Sequence, residues 1–157
     1  MERKELHQLL LRCNSTYKDT DEVYHQFAKA FGLSDCAFWI FYLLQESDRT
    51  YTQAEVCDTL SFARQTVNSA LKNLQTQGYI TLLPDDRSKK NKRLSLTPKG
   101  KAFAEDTVDR VIEAELCVLE QFSPQERETF LALNQKYGAL LREEGEKRFF
   151  HKPQSDE

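Results

Sequence analysis

The sequence predicts a mainly α-helical chain with one small β-hairpin. Three observations lead there. Glycine and proline together number only nine in 157 residues, too few for a many-turned β fold. Apolar residues recur at three- and four-residue spacings over most of the length. And only one stretch, about residues 79–96, pairs two β-like runs across a turn signal. Aromatic residues at 11% and apolar residues at 39% argue for a folded core, and charged residues at 30% for a soluble, surface-rich chain.

From about residue 3 to 31, Leu6, Leu9, Leu10, Cys13 and Tyr17, then Tyr24, Phe27, Ala28 and Phe31, trace one stripe of a helix. Lys18-Asp-Thr-Asp is the place where it would kink. Gly32 suits the position after a helix, where a positive φ is needed. Ser34 can cap the next helix, Asp35 to about Glu46. Its AFWIFYLL run is apolar on nearly every side, as in a buried helix. A buried strand is the competing assignment, and the length and the Ser-Asp start favour helix.

Thr52-Gln-Ala-Glu55 has the form of a capping box and opens a short helix ending near Leu60. Ser61-Phe62 forms a tight turn. Ala63 to Gln77 is helical again, with Val67, Ala70, Leu71 and Leu74 on the apolar side and Gly78 as the stop. Tyr79 to Leu83 reads as a strand, Pro84-Asp85-Asp86 as a turn, and Arg93 to Leu96 as the return strand. Thr97-Pro98 begins a helix that periodicity carries to about Phe122. Ser123-Pro-Gln-Glu126 repeats the device and opens a last helix to about Phe149. The tail, residues 150–157, is expected to be loose.

Several classes are excluded. No stretch approaches the roughly 20 apolar residues of a membrane span, and the charged start suits a folded helix better than a secretory leader. Cys13, Cys36, Cys57 and Cys117 form no CxxC pair, which fits free thiols and a cytoplasmic protein. His7, His25 and His151 are scattered without metal-ligand spacing, so no metal and no cofactor is expected. No P-loop, GxSxG or GxGxxG occurs, and no catalytic residue is assigned.

The charge is uneven. The chain as a whole stands at -3, yet residues 61–101 hold nine Lys or Arg against Asp85 and Asp86, a local excess of +7. Five of the seven residues from Arg87 to Arg93 are basic. A solvated loop would explain a charge run alone. Here the run follows helix, short helix, tight turn, helix and strand, and precedes a return strand. That order is a winged helix-turn-helix, with flanking helices on both sides. Residues 63–77 are then the recognition helix, and Arg64, Gln65, Thr66, Asn68, Ser69 and Lys72 its groove-facing side. Arg pairs with guanine O6/N7, Asn or Gln with adenine N6/N7, at about 1–3 kcal/mol of discrimination each. Residues 85–92 are the wing, where Arg87, Lys89, Lys90 and Lys92, with Arg93 just beyond, would follow the phosphate backbone of duplex DNA.

These residues resemble a known family. Thr66-Val67 in the recognition helix, Leu74-Gln-Thr-Gln-Gly78-Tyr79-Ile80 at its exit, Asp86-Arg87 in the wing and Leu96-Thr97-Pro-Lys-Gly100 at the restart are similar to the MarR-type (multiple antibiotic resistance regulator) transcription factors. The resemblance covers about residues 33–115. Two points depart from the pattern: Ala63 stands where Ser or Pro usually caps, and the wing is longer and richer in lysine. Of the two wing arginines, Arg87 follows Asp86 directly and takes the family's wing position, while Arg93 falls on the return strand.

The resemblance implies a homodimer, most often a repressor, acting on a near-palindromic site. Its division would be residues 1–31 and 101–149 for dimerisation and 32–100 for DNA. The apolar faces of the terminal helices independently exceed what one small winged domain can cover. Family members often respond to a small aromatic or phenolic effector or to thiol oxidation. Phe38, Trp39 and Tyr42 are the candidate effector pocket, although such a run also suits plain core. Cys13, with Tyr17 one turn on, is the candidate redox thiol. A reading of another class is a winged-helix protein–protein module without DNA binding.

Overall fold

A computed structural model describes residues 2–46, 50–85 and 88–149. Its elements are α1 (Arg3–Ala30), α2 (Asp35–Glu46), β1 (Tyr51–Thr52), α3 (Gln53–Leu60), α4 (Arg64–Thr76), β2 (Ile80–Asp85), β3 (Ser88–Leu96), α5 (Pro98–Asp106), α6 (Val108–Glu120) and α7 (Pro124–Arg148). The strands form one antiparallel sheet in the order β1-β3-β2. Two compact units divide at Ile112/Glu113, a boundary that α6 crosses.

The first unit is built around α2. Phe38, Ile40 and Phe41 are fully buried there, among Val56 of α3, Val67 and Leu74 of α4, Leu94 of β3 and Val108 of α6. This is the helix whose sequence is apolar all round, and the burial is the reason. Only the second half of α1 joins the core, through Tyr24, Phe27 and the fully buried Ala28. His25 Nδ1 lies 2.8 Å from Asp35 Oδ1, which ties α1 to the first turn of α2.

Both expected helix stops take one form. At Gly32 (φ +69°) the amides of Gly32 and Leu33 return to Lys29 and Ala28. At Gly78 (φ +76°) those of Gly78 and Tyr79 return to Gln75 and Leu74. These are Schellman closures, which need a left-handed residue that glycine supplies without strain.

The structure corrects the sequence reading in four places. α1 runs unbroken through Lys18-Asp-Thr-Asp, with the Thr16 and Thr20 hydroxyls donating to carbonyls four residues back. The expected single helix from Pro98 breaks at Thr107, whose hydroxyl donates to Phe103 O at 2.6 Å while its carbonyl starts α6. Apolar spacing runs straight through the break, so periodicity conceals it. β1 is a two-residue strand too short to announce itself. And Pro84 and Asp85 belong to β2, with Ser88–Lys92 in β3, where a turn and an open loop were expected. Pro84 is tolerated because β2 is an edge strand.

In the second unit, Ser123 and Glu126 form a capping box at the start of α7. Arg127 reaches back to the Leu119 and Glu120 carbonyls and closes the end of α6. No residue of α7 is buried.

Candidate nucleic-acid interface

The helix-turn-helix is set by local chemistry at three points. Thr52 Oγ1 accepts from Glu55 N at the start of α3, and Glu55 accepts in return from Thr52 N. Ser61 ends α3 in the left-handed region at φ 55°, the sole non-glycine with positive φ among the described residues. Ala63 then precedes α4 with no side-chain cap, as its chemistry dictates. The helix nevertheless begins at Arg64, and Val67 N donates to Ala63 O at 3.1 Å.

Val67, Ala70, Leu71 and Leu74 hold α4 to the core. That leaves Arg64, Gln65, Thr66, Asn68, Ser69 and Lys72 exposed, all six of the residues assigned to the groove-facing side. Arg64 lies 4.0 Å from Asp58 with both side chains about three-quarters exposed. So loose a pair contributes little, and Arg64 remains available to a partner. Gln65, Thr66 and Ser69, with Asn73, Ser34, Ala63 and Ala70, line a hollow of about 510 Å³ beside α4. Gln53, at the start of α3, donates from Nε2 to Asn68 Oδ1.

The wing is a ladder more than a loop. From Ile80↔Leu96 to Pro84↔Lys92 the register is regular, and then Asp85 pairs with Ser88. The jump puts extra residues on the β3 side, the mark of a bulge. Lys92 is exposed opposite Pro84. Arg87, with Asp86, lies outside the described residues; Lys89 and Lys90 have described backbone but their side chains lie outside the description.

Arg93 departs from the assignment to the DNA-facing set. It sits on β3 opposite Leu83 and Thr52, and its Nη1 donates to Thr50 O at 2.7 Å. It also lies 3.8 Å from Glu55 Oε2 with only 22% of its side chain exposed. This guanidinium joins the wing strand to the start of α3. Lys99 is engaged as well, donating to Gln77 O at 2.7 Å and standing 4.5 Å over the Tyr79 ring. Part of the local positive charge thus holds the fold together.

Trp39 and Tyr42 are half-buried and line a hollow of about 370 Å³ with Leu43, Thr59, Leu60 and Phe62. Phe38 does not join them: it is fully buried in the core behind, its ring edge-on to Trp39. Cys13 and Tyr17 are exposed on α1. Among the described residues, no group of three His, Cys, Asp or Glu is placed to hold a metal ion. No single described helix is long and apolar enough to cross a membrane.

Sequence reasoning missed Gln53, Thr50 and Glu55 as neighbours of the interface. Glu55 was visible as a capping residue, but its second role depends on β1 pairing with β3. The contact of Gln53 with Asn68 spans 15 residues and two helices, beyond any local spacing rule.

A family model described as the MarR family matches residues 31–90. The uncharacterized HTH-type transcriptional regulator YybA of Bacillus subtilis (strain 168) is 33% identical over 81 residues, covering 52% of this chain and 54% of that protein. The chain thus matches about half the length of this curated relative. Among solved structures, S. aureus MepR in a DNA-binding conformation aligns with a TM-score of 0.67 at 23% identity, over 86% of this chain and 98% of that one. The S. aureus MepR–DNA complex aligns at 0.62 and 22% identity, over 86% and 97%. A MarR family protein from Bacillus stearothermophilus aligns at 0.67 and 17%, over 90% and 99%. At these identities the structural likeness is one of fold alone.

Proposed function

We propose that this chain, a member of the MarR family through its residues 31–90, is a sequence-specific regulator that binds duplex DNA as a homodimer on a near-palindromic site. The observation that carries the reading is the division of α4. Its four apolar residues are buried and its nine polar ones exposed, immediately before a lysine-rich hairpin. Residues 32–100 would read the DNA. Residues 1–31 and 101–149 would make the dimer, because α1 leaves Leu6, Leu9 and Leu10 open and α7 leaves Phe130, Leu133 and Leu141 open. Repression, relieved by a small aromatic or phenolic effector, fits the hollow at Trp39 and Tyr42. Its lining carries no charge, and it reaches Phe62, beside the entry to α4. The exposure of Cys13 on α1 favours a second reading, in which oxidation of that thiol is the signal.

The test is binding to random-sequence duplex DNA at two salt concentrations, with enrichment of bound sites. A near-palindromic motif with affinity falling steeply in salt is the expected result. Arg64→Ala should relax base preference. Lys72→Ala should weaken all sequences alike and lower the salt slope by about 1. Unchanged affinity in both variants at low salt would rule the reading out.

A further inference from the structure

The contact between Gln53 and Asn68 bears on which base is read. Asn68 stands on the exposed face of α4 with Arg64 and Lys72, and Gln53 Nε2 donates to its Oδ1 from the neighbouring helix. The backbone of Gln53 is itself well fixed. It directly follows Thr52, which caps α3 and pairs with Arg93 across the sheet.

An asparagine carboxamide has an acceptor end and a donor end. Reading adenine uses both, with Oδ1 accepting from N6 and Nδ2 donating to N7. Here Gln53 takes one of the two lone pairs of Oδ1 from within the protein and turns that end toward α3. The end left to face outward is Nδ2, with two N–H donors and no acceptor. The major-groove edge that offers two adjacent acceptors is that of guanine, O6 and N7. We infer that Gln53 is a positioning residue that holds the Asn68 amide with its donors outward, so that Asn68 selects guanine over adenine. The inference rests on the reading of α4 as the recognition helix, and it assigns Gln53 no base contact of its own.

The experiment is site selection from random duplex DNA by the full chain and by Gln53→Ala, Gln53→Glu and Asn68→Ala, followed by affinities for single-base changes. The wild-type motif should favour guanine at one position per half-site, and Asn68→Ala should flatten that position alone. Gln53→Ala should cut the same preference by about tenfold while leaving the salt slope unchanged. It should add nothing further in an Asn68→Ala background. Gln53→Glu puts an acceptor where the donor was. It should draw Nδ2 inward and turn Oδ1 outward, moving the preference to a base that donates, cytosine N4 or adenine N6. Overall affinity should fall alongside, from the added negative charge.

A Gln53→Ala variant that loses affinity equally at every position has only a structural role for this residue, and the inference is then overturned. Adenine at the Asn68 position in the wild type overturns it too, as does an unmoved preference in Gln53→Glu. The contact can also be followed without DNA. The Asn68 side-chain amide resonance should shift in Gln53→Ala, and an unmoved resonance would exclude the contact. If the wild type enriches no motif, the recognition-helix reading itself fails, a result visible before any variant is compared.

Discussion

A Cβ built on Gly100 stands 1.9 Å from the carbonyl oxygen of Tyr79. The start of α5 is pressed onto the start of β2, and Thr97 fastens it there. Thr97 N donates to Tyr79 O at 2.9 Å, and Thr97 Oγ1 donates to Gly78 O at 2.6 Å. No side chain fits between them. Gly100→Ala should therefore lower stability by about 2–3 kcal/mol, read by chemical denaturation, as the backbone separates to admit one methyl group. A neutral result would mean that α5 does not sit this close in solution.

Arg93 and Lys92 are adjacent, yet they should behave as different classes of residue. Arg93→Met removes a partly buried guanidinium from Thr50 O and from the vicinity of Glu55, and should cost about 2 kcal/mol of stability. Lys92→Ala, at an exposed position, should change stability by less than about 0.5 kcal/mol. Urea denaturation of the two variants measures the difference. Equal stabilities would remove the structural role given to Arg93.

Ser61 adopts φ 55° where α3 turns toward α4. A side chain in that region carries strain that glycine lacks, and glycine in turn loses more chain entropy on folding. Ser61→Gly should leave the turn intact and gain about 0.5–1 kcal/mol, whereas β-branched Ser61→Val should lose about 1 kcal/mol or more. Thermal melting of the pair decides the point, and a more stable Val variant would contradict it.

The buried thiols should be silent. Cys36 and Cys57 lie in the core, and burial, followed by the proximity of Cys57, pushes the Cys36 thiol above its ordinary value of 9.0. The folded state thus holds its proton more tightly than the unfolded state. The contribution of Cys36 to stability is complete below pH 9 and declines as pH rises through the raised folded value. Melting temperature against pH should fall less steeply above pH 9 in Cys36→Ala than in the wild type. Parallel curves would exclude the linkage.

Much of this molecule is legible in local sequence. The capping boxes at Thr52 and Ser123, the Schellman glycines at 32 and 78 and the buried stripe of α4 each depend on residues within one or two turns. The same locality makes the exposed set from Arg64 to Lys72 readable. The break at Thr107 is hidden because Ala104, Val108 and Val111 keep helical spacing across it while packing into one core. β1 is hidden because two residues form a strand only when β3 is beside them.

The sequence by itself determined which segments are helices, where most of them begin and end, and which face of α4 is apolar. Propensity, capping and periodicity act over a few residues, and they are written in the chain. The tertiary structure alone decided what a polar residue beside that face is for. Arg93 and Lys92 look alike in sequence, but strand pairing turns one toward Thr50 and leaves the other exposed. Gly100 reads as a motif letter until Tyr79 is placed against it, and Asn68 as a free amide until α3 brings Gln53 to its oxygen. Close packing and hydrogen bonding between distant segments depend on distances of a few ångströms, which sequence spacing does not encode.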